Sequence, residues 1–127
     1  AGLAFTLPKT TSSHACSFPL TNIYRIPHGE ACGLTLDHFI RINAHGEGGE
    51  RVEYLAHKLG FTDADALADA VLELKRKMGL RCDLHDLNLS DEQIAELVRI
   101  SRHPNLYNNP VEITDEMLEE MYRTLAK

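Results

Sequence analysis

The sequence has no surplus of positive charge: 13 Lys and Arg stand against 19 Asp and Glu in 127 residues, for a formal net charge of −6. A surface that neutralises nucleic-acid phosphates needs clustered Lys and Arg, so nucleic acid is not an expected partner. The basic residues are instead scattered or sit on helix faces, as in the run from Lys75 to Arg81. Cysteine is also scarce. Cys16, Cys32 and Cys82 form an odd, widely spaced set, which argues against a disulfide framework and for a reducing, cytoplasmic compartment. No run of about 18 apolar residues is present to span a membrane, so no membrane partner is expected. The start lacks the basic and continuous apolar regions of a signal peptide. No convincing strand pair, low-complexity segment or internal repeat is visible. The chain opens on Ala1-Gly2-Leu3-Ala4-Phe5 without an initiator Met, and the expectation is a piece of a longer chain.

What is present is helical periodicity. At 43% hydrophobic and 25% charged the chain is ordinary for a globular domain and long enough to bury one core. Pro8 breaks an apolar start. Ser12 or Ser13 is expected to cap a short helix carrying His14, Phe18 and Ile23, ended by Ile26-Pro27 because the residue before proline is pushed from αR. Pro27 suits the first turn of the next helix, expected from His28 to Asn43 with a broad apolar face. His45-Gly46-Glu47-Gly48-Gly49 breaks the chain. Further helices are expected over Glu50 to Leu59, stopped by Gly60, and from an N-cap signal in Thr62-Asp63-Ala64-Asp65 along a stripe of Leu67, Val71, Leu74 and Met78, stopped by Gly79. Ser90 to Gln93 forms a capping box for a helix bearing Ile94, Leu97 and Val98. Thr114 caps the last helix, with Met117, Leu118, Met121 and Leu125 inward. The fold class is all-α: a single-domain bundle of five to seven helices over residues 1–127.

The chemistry-bearing groups concentrate in Ser13 to Asn43. His14 and His28 flank a proline-broken segment, and a helix–turn–helix folding back at Pro27 can bring their rings to one cavity. Neutral imidazole is a common metal ligand. A closed zinc site from His14, Cys16, His28 and Cys32 is conceivable in ligand type, yet its spacing does not match paired knuckles and residues two apart on a helix diverge. Cys16 and Cys32 read better as small buried hydrophobes. Glu30 reads as an acidic group in a helix's first turn. His38, His45, His57, His85 and His103 read as surface or capping residues, and Asp83-Leu84-His85-Asp86 as a solvated connector. On the residues alone, a helical interaction module with an incidental histidine pair stays open beside a metal site.

The run His14-Ala15-Cys16-Ser17-Phe18-Pro19-Leu20, then Ile26-Pro27-His28-Gly29, then an apolar stretch ending Ile42-Asn43, resembles the iron-containing alcohol dehydrogenases. That family has two histidines fourteen positions apart, the second in Pro-His-Gly, and His14 and His28 share that spacing. Asn109-Pro110 followed by Ile113-Thr114 and a terminal helix is similar to the family's C-terminus. The resemblance covers nearly the whole chain.

The resemblance implies the C-terminal helical domain of a two-domain, dehydroquinate synthase-like enzyme that transfers hydride between NAD or NADP and a small alcohol or aldehyde. A preceding α/β domain would hold most of the dinucleotide, and homo-oligomers are expected. An aspartate and three histidines hold the family's metal, Fe2+ by resemblance and Zn2+ by ligand type. His14 and His28 match the last two, while the aspartate and first histidine are expected upstream of Ala1. The 127 residues alone are therefore expected to be inactive. Phe18 stands where many relatives carry a further histidine beside nicotinamide and substrate, and it is expected to line that pocket. Val111 replaces a frequent arginine. His28-Gly29-Glu30-Ala31 also resembles glycerol dehydrogenases and dehydroquinate synthases, which remain an alternative.

Overall fold

The computed structural model describes residues 2–6 and 9–127, so the expected break at Pro8 lies outside the described residues. Eight α-helical segments follow one another: α1 (Gly2–Phe5), α2 (Ser12–Asn22), α3 (His28–Leu34), α4 (Leu36–His45), α5 (Glu50–Lys58), α6 (Ala64–Lys77), α7 (Asp91–Ser101) and α8 (Asp115–Ala126). Two 3-10 turns, His85–Leu87 and Pro104–Asn108, lie on either side of α7. Among the described residues there is no strand. The all-α expectation is met.

Local sequence explains most boundaries. Asp63 Oδ1 accepts from Ala66 N to start α6, Ser90 and Gln93 form the reciprocal capping box of α7, and Thr114 Oγ1 accepts from Met117 N at α8. Gly60 and Gly79 take φ of 89° and 68° just past α5 and α6, a conformation open to glycine because it lacks Cβ. The cap of α2 differs from expectation. Thr11 occupies that position without a side-chain bond, and Ser12 already lies inside the helix. Pro19 removes one intrahelical donor, yet α2 continues to Asn22 because Ala15, Cys16 and Leu20 on its flank are fully buried.

The core forms between α2, α3, α7 and α8. Cys16, Leu20, Ala31, Leu34, Leu97, Leu118, Met121 and Tyr122 meet there, with Phe39, Leu84, Leu106 and Ile113 closing its edges. Within it, Ser101 Oγ and Tyr122 Oη share a hydrogen bond of 2.7 Å, satisfying two polar atoms that burial would otherwise penalise. A second layer of α5 and α6 is added through α4. The inner face of α6 is small, with Ala64, Leu67 and Ala68 buried. Part of the apolar pattern on α5 and α6 and at their C-terminal ends faces solvent: Leu55, Leu59, Leu74 and Met78 are each more than half exposed.

The expected helix from His28 to Asn43 is instead two helices broken at Thr35. Lys75, read from sequence as part of a surface basic run, explains the break. It is 5% exposed, and its Nζ donates to Leu34 O at 3.0 Å and to Asp37 Oδ1 at 2.5 Å. The carbonyl freed at the break thus receives a buried ammonium from α6. Outside this pair, Arg41 on α4 reaches Asp65 (3.0 Å) and Asp69 (2.7 Å) on α6, so those acids bridge helices rather than only face water. Beside Asp37, burial holds the pKa of His38 below its ordinary 6.5, against the opposing pull of the Asp37 carboxylate. The folded chain then binds fewer protons at His38 than the unfolded chain, so this site's contribution is fully favourable above 6.5 and declines as pH falls below it. Urea midpoints measured against pH are expected to fall less steeply below neutrality in His38→Gln than in the parent; identical slopes would contradict this.

Candidate metal centre

Helix α2 presents His14 and Phe18 one turn apart, and α3 begins with His28. The chain returns between them through Arg25, whose φ of 61° lies in the left-handed region, and through Ile26 N donating to Leu20 O at 3.3 Å. That turn closes the hairpin and brings the two imidazoles together, with ring centroids 4.7 Å apart and planes at 82°. Phe18 meets His14 edge-on at 5.2 Å and lies over His28 at 6.0 Å. Burial first, then the neighbouring His28 and His103, push the His14 pKa below its usual value. A neutral ring keeps a lone pair for a metal.

Ser17 sets the tautomer of His28. Its Oγ donates to His14 O at 2.6 Å. With that proton committed, the 3.3 Å contact between Ser17 Oγ and His28 Nδ1 makes Nδ1–H the donor and leaves Nε2 as the free lone pair. An outer hydrogen bond of this kind orients a ligating imidazole.

Cys32 follows His28 by one turn on α3 and so shares its face. Its Sγ lies 3.8 Å from His14 Nδ1 and 3.9 Å from His28 Nε2. Among the described residues, His14, His28 and Cys32 are the group of metal-capable side chains gathered closely, with ligand atoms all within 4.8 Å of one another. The packing role expected for Cys32 thus gives way to a position between the rings. Cys16 goes the other way. It is fully buried against Tyr122 and Ser101, and burial pushes its thiol pKa up to about 11, so the four-residue zinc site including Cys16 does not assemble. Glu30 is also engaged elsewhere, its Oε1 accepting from Arg81 N at 2.7 Å.

One residue read from sequence as a surface or capping histidine does cap a turn, and it also lies beside this centre. His103 packs on Phe18 with centroids 4.6 Å apart, while its Nδ1 accepts from Asn105 N at 3.2 Å to cap the 3-10 turn. Asn105 in turn donates to Thr10 Oγ1 at 2.6 Å. No local signal announces this, because the contact joins parts of the chain far apart in sequence. Asn43 and Asn109 form a similar link: Asn109 Nδ2 donates to Asn43 Oδ1 at 2.6 Å and to Val111 O at 2.8 Å. His45, His57 and His85 lie on the exterior, near Asp65, the Phe61 carbonyl and Asp83 respectively. An open cavity of about 480 Å3 adjoins the centre, lined by Lys9, Thr10, Thr11, Ser13, His14 and Cys32 together with Gly29, Gly33 and Leu36.

An all-α bundle with a histidine pair on a proline-closed hairpin has clear relatives. The family description "Fe-containing alcohol dehydrogenase family, C-terminal" matches residues 1–126. The chain belongs to that family. Sulfoacetaldehyde reductase from Bifidobacterium kashiwanohense, solved in complex with NAD+, is 70% identical with a TM-score of 0.93, over 99% of this chain and 33% of that one. Lactaldehyde reductase of Escherichia coli K12 is 29% identical over 98% of this chain and 35% of its own. Phosphonoacetaldehyde reductase of Streptomyces viridochromogenes is 31% identical over 93% of this chain and 32% of its own. The chain therefore spans about a third of the length of the relatives it matches.

Proposed function

We propose that these residues form the metal-holding half of an NAD-linked aldehyde reductase that acts on a short aldehyde with an anionic tail, sulfoacetaldehyde being the first candidate. The observation that carries this reading is the convergence of His14 and His28 beside a cavity that His14 lines, in a chain 70% identical to a sulfoacetaldehyde reductase. The donor set suits a divalent metal: two imidazoles with available lone pairs and a thiol, gathered within 4.8 Å. A metal held there, Fe2+ or Zn2+, supplies Lewis acidity toward the substrate oxygen, while a nicotinamide held mainly by a preceding domain supplies or accepts hydride.

The chain's own residues do the positioning. His14 and His28 hold the cation, and Ser17 keeps His28 Nε2 free for it. Phe18 packs against both imidazoles and is backed by His103. Lys9 places a positive charge in the same cavity as His14, with the hydroxyls of Thr10, Thr11 and Ser13 beside it, which favours a substrate with a negative tail. The glycerol dehydrogenase-like alternative drew on Glu30, and that carboxylate already serves Arg81 N.

Joined to its preceding cofactor domain, the protein is expected to oxidise NADH with sulfoacetaldehyde at a kcat/KM at least about tenfold above that for acetaldehyde, a difference of roughly 1.4 kcal/mol in transition-state binding. Equal or reversed preference would contradict the anionic-substrate reading. The 127 residues by themselves are expected not to turn over. The apolar side chains exposed on α5 and α6 suit burial against further protein, and light scattering of the isolated chain is expected to show self-association. A strict monomer at high concentration would contradict that.

A further inference from the structure

We propose that Asn105 is a positioning residue for substrate recognition: it holds the Thr10 hydroxyl so that the Thr10 proton is free for the substrate's anionic tail. This rests on the anionic-aldehyde reading above and deepens it, by naming the neutral group that reads the tail beside Lys9. The argument starts from the 3-10 turn Pro104–Asn108. Asn105 Nδ2 donates to Thr10 Oγ1 at 2.6 Å, and Asn108 Nδ2 donates to Thr10 O at 3.0 Å. A threonine hydroxyl has one proton to give and two lone pairs to receive. The Asn105 bond takes up a lone pair, which leaves the Thr10 O–H to donate elsewhere. Thr10 lines the cavity of about 480 Å3 together with Lys9 and His14. A sulfonate oxygen in that cavity can only accept.

Three further features agree. Two asparagines grip one residue across 95 and 98 positions of sequence, so the strap ahead of α2 is set before a substrate arrives. Lys9, next along that strap, takes a left-handed φ of 61°, a conformation that persists only where neighbouring contacts hold it. The bonds at Thr10 supply such contacts. The same turn also reaches the histidine pair: His103, just ahead of it, packs on Phe18 at 4.6 Å, and Phe18 meets His14 edge-on at 5.2 Å. One short turn therefore braces the tail end at Thr10 and the reacting end at His14. Thr10 and Asn105 are both partly buried, which shields their bond from water. A donor already fixed in place loses little freedom on binding, and a hydrogen bond to a full negative charge is stronger than one between neutral groups. A neutral aldehyde has no tail to accept that proton, so the effect falls on which aldehyde is taken.

The test is steady-state kinetics of the protein joined to the proposed cofactor domain, with sulfoacetaldehyde and acetaldehyde as substrates and ethanesulfonate as a dead-end inhibitor. Thr10→Val keeps the shape and loses the hydroxyl. Its ratio of kcat/KM for sulfoacetaldehyde over acetaldehyde is expected to fall at least about tenfold, the size of one hydrogen bond to a charged group. The ethanesulfonate inhibition constant should rise in step, and Thr10→Ser should keep the parent's ratio. Asn105→Ala is expected to lower the ratio too. The double variant Thr10→Val, Asn105→Ala should lose no more than Thr10→Val alone, because Asn105 acts through that hydroxyl. Asn105→Asp, whose carboxylate only accepts, captures the Thr10 proton and should lower the ratio at least as far as Asn105→Ala. Were Asn105 merely a brace for the turn, aspartate would replace it without loss. An unchanged ratio in Thr10→Val, fully additive losses in the double variant, or a parent-like ratio in Asn105→Asp would overturn this assignment and leave the anionic-substrate reading standing. A parent with no preference for sulfoacetaldehyde would overturn that reading, and this inference with it.

Discussion

Replacing His14 or His28 by alanine in the protein joined to the proposed cofactor domain is expected to remove metal and turnover together. In the proposed site each ring would supply one nitrogen to the cation, and its neighbours cannot replace it: Phe18 has no donor, Ser17 is committed to His14 O, and Glu30 to Arg81 N. Loss of a metal's Lewis acidity removes several kcal/mol of transition-state stabilisation, so turnover should fall on the order of a thousandfold or more. Metal analysis of the purified variants and NADH oxidation check this side by side. The two variants are expected to keep their helicity, because neither ring belongs to the buried core. Full metal content in both would count against the assignment.

The second large effect is on stability and lies at Lys75. Lys75→Ala would leave the Asp37 carboxylate and the Leu34 carbonyl without their buried partner. Removing one member of a buried ion pair costs about 3–5 kcal/mol, because the remaining charge stays desolvated. Urea denaturation should register that loss, and α6 should be the element that loosens, since Lys75 is its deepest polar anchor to the α3–α4 break. Replacing both partners by apolar residues, Lys75→Met with Asp37→Leu, is expected to recover most of the stability. A cost below about 1 kcal/mol for Lys75→Ala, the size of an exposed pair, would mean that the pair does not hold α6 in place.

These two effects mark where the sequence could and could not be read. Helix starts within Thr62 to Asp65 and at Ser90 and Thr114, and stops at Gly60 and Gly79, were legible because capping chemistry acts within a few residues. That His14 and His28 could meet was legible from the proline-closed hairpin, while their expected ligand role came from the family resemblance. Lys75 was not. Between Glu73 and Arg76 it follows the pattern of a solvated face, and only the Leu34 carbonyl and the Asp37 carboxylate, 41 and 38 residues away in sequence, make burial tolerable. The same holds for Cys32 and His103. Helical spacing puts Cys32 on the His28 face but does not say that His14 from α2 will meet it there, and the approach of His103 depends on a turn that α7 carries into place. Asn43 and Asn109 each belonged to a recognisable motif, yet their mutual hydrogen bonds span 66 residues.

The proposed site holds one cation between α2 and α3. The most direct measurement is an anomalous difference map, collected at the metal's absorption edge from crystals of the metal-loaded protein. The account predicts a single strong peak bonded to one nitrogen each of His14 and His28 at about 2.0–2.1 Å. A peak elsewhere, or the two rings turned away from an ordered metal, would contradict it.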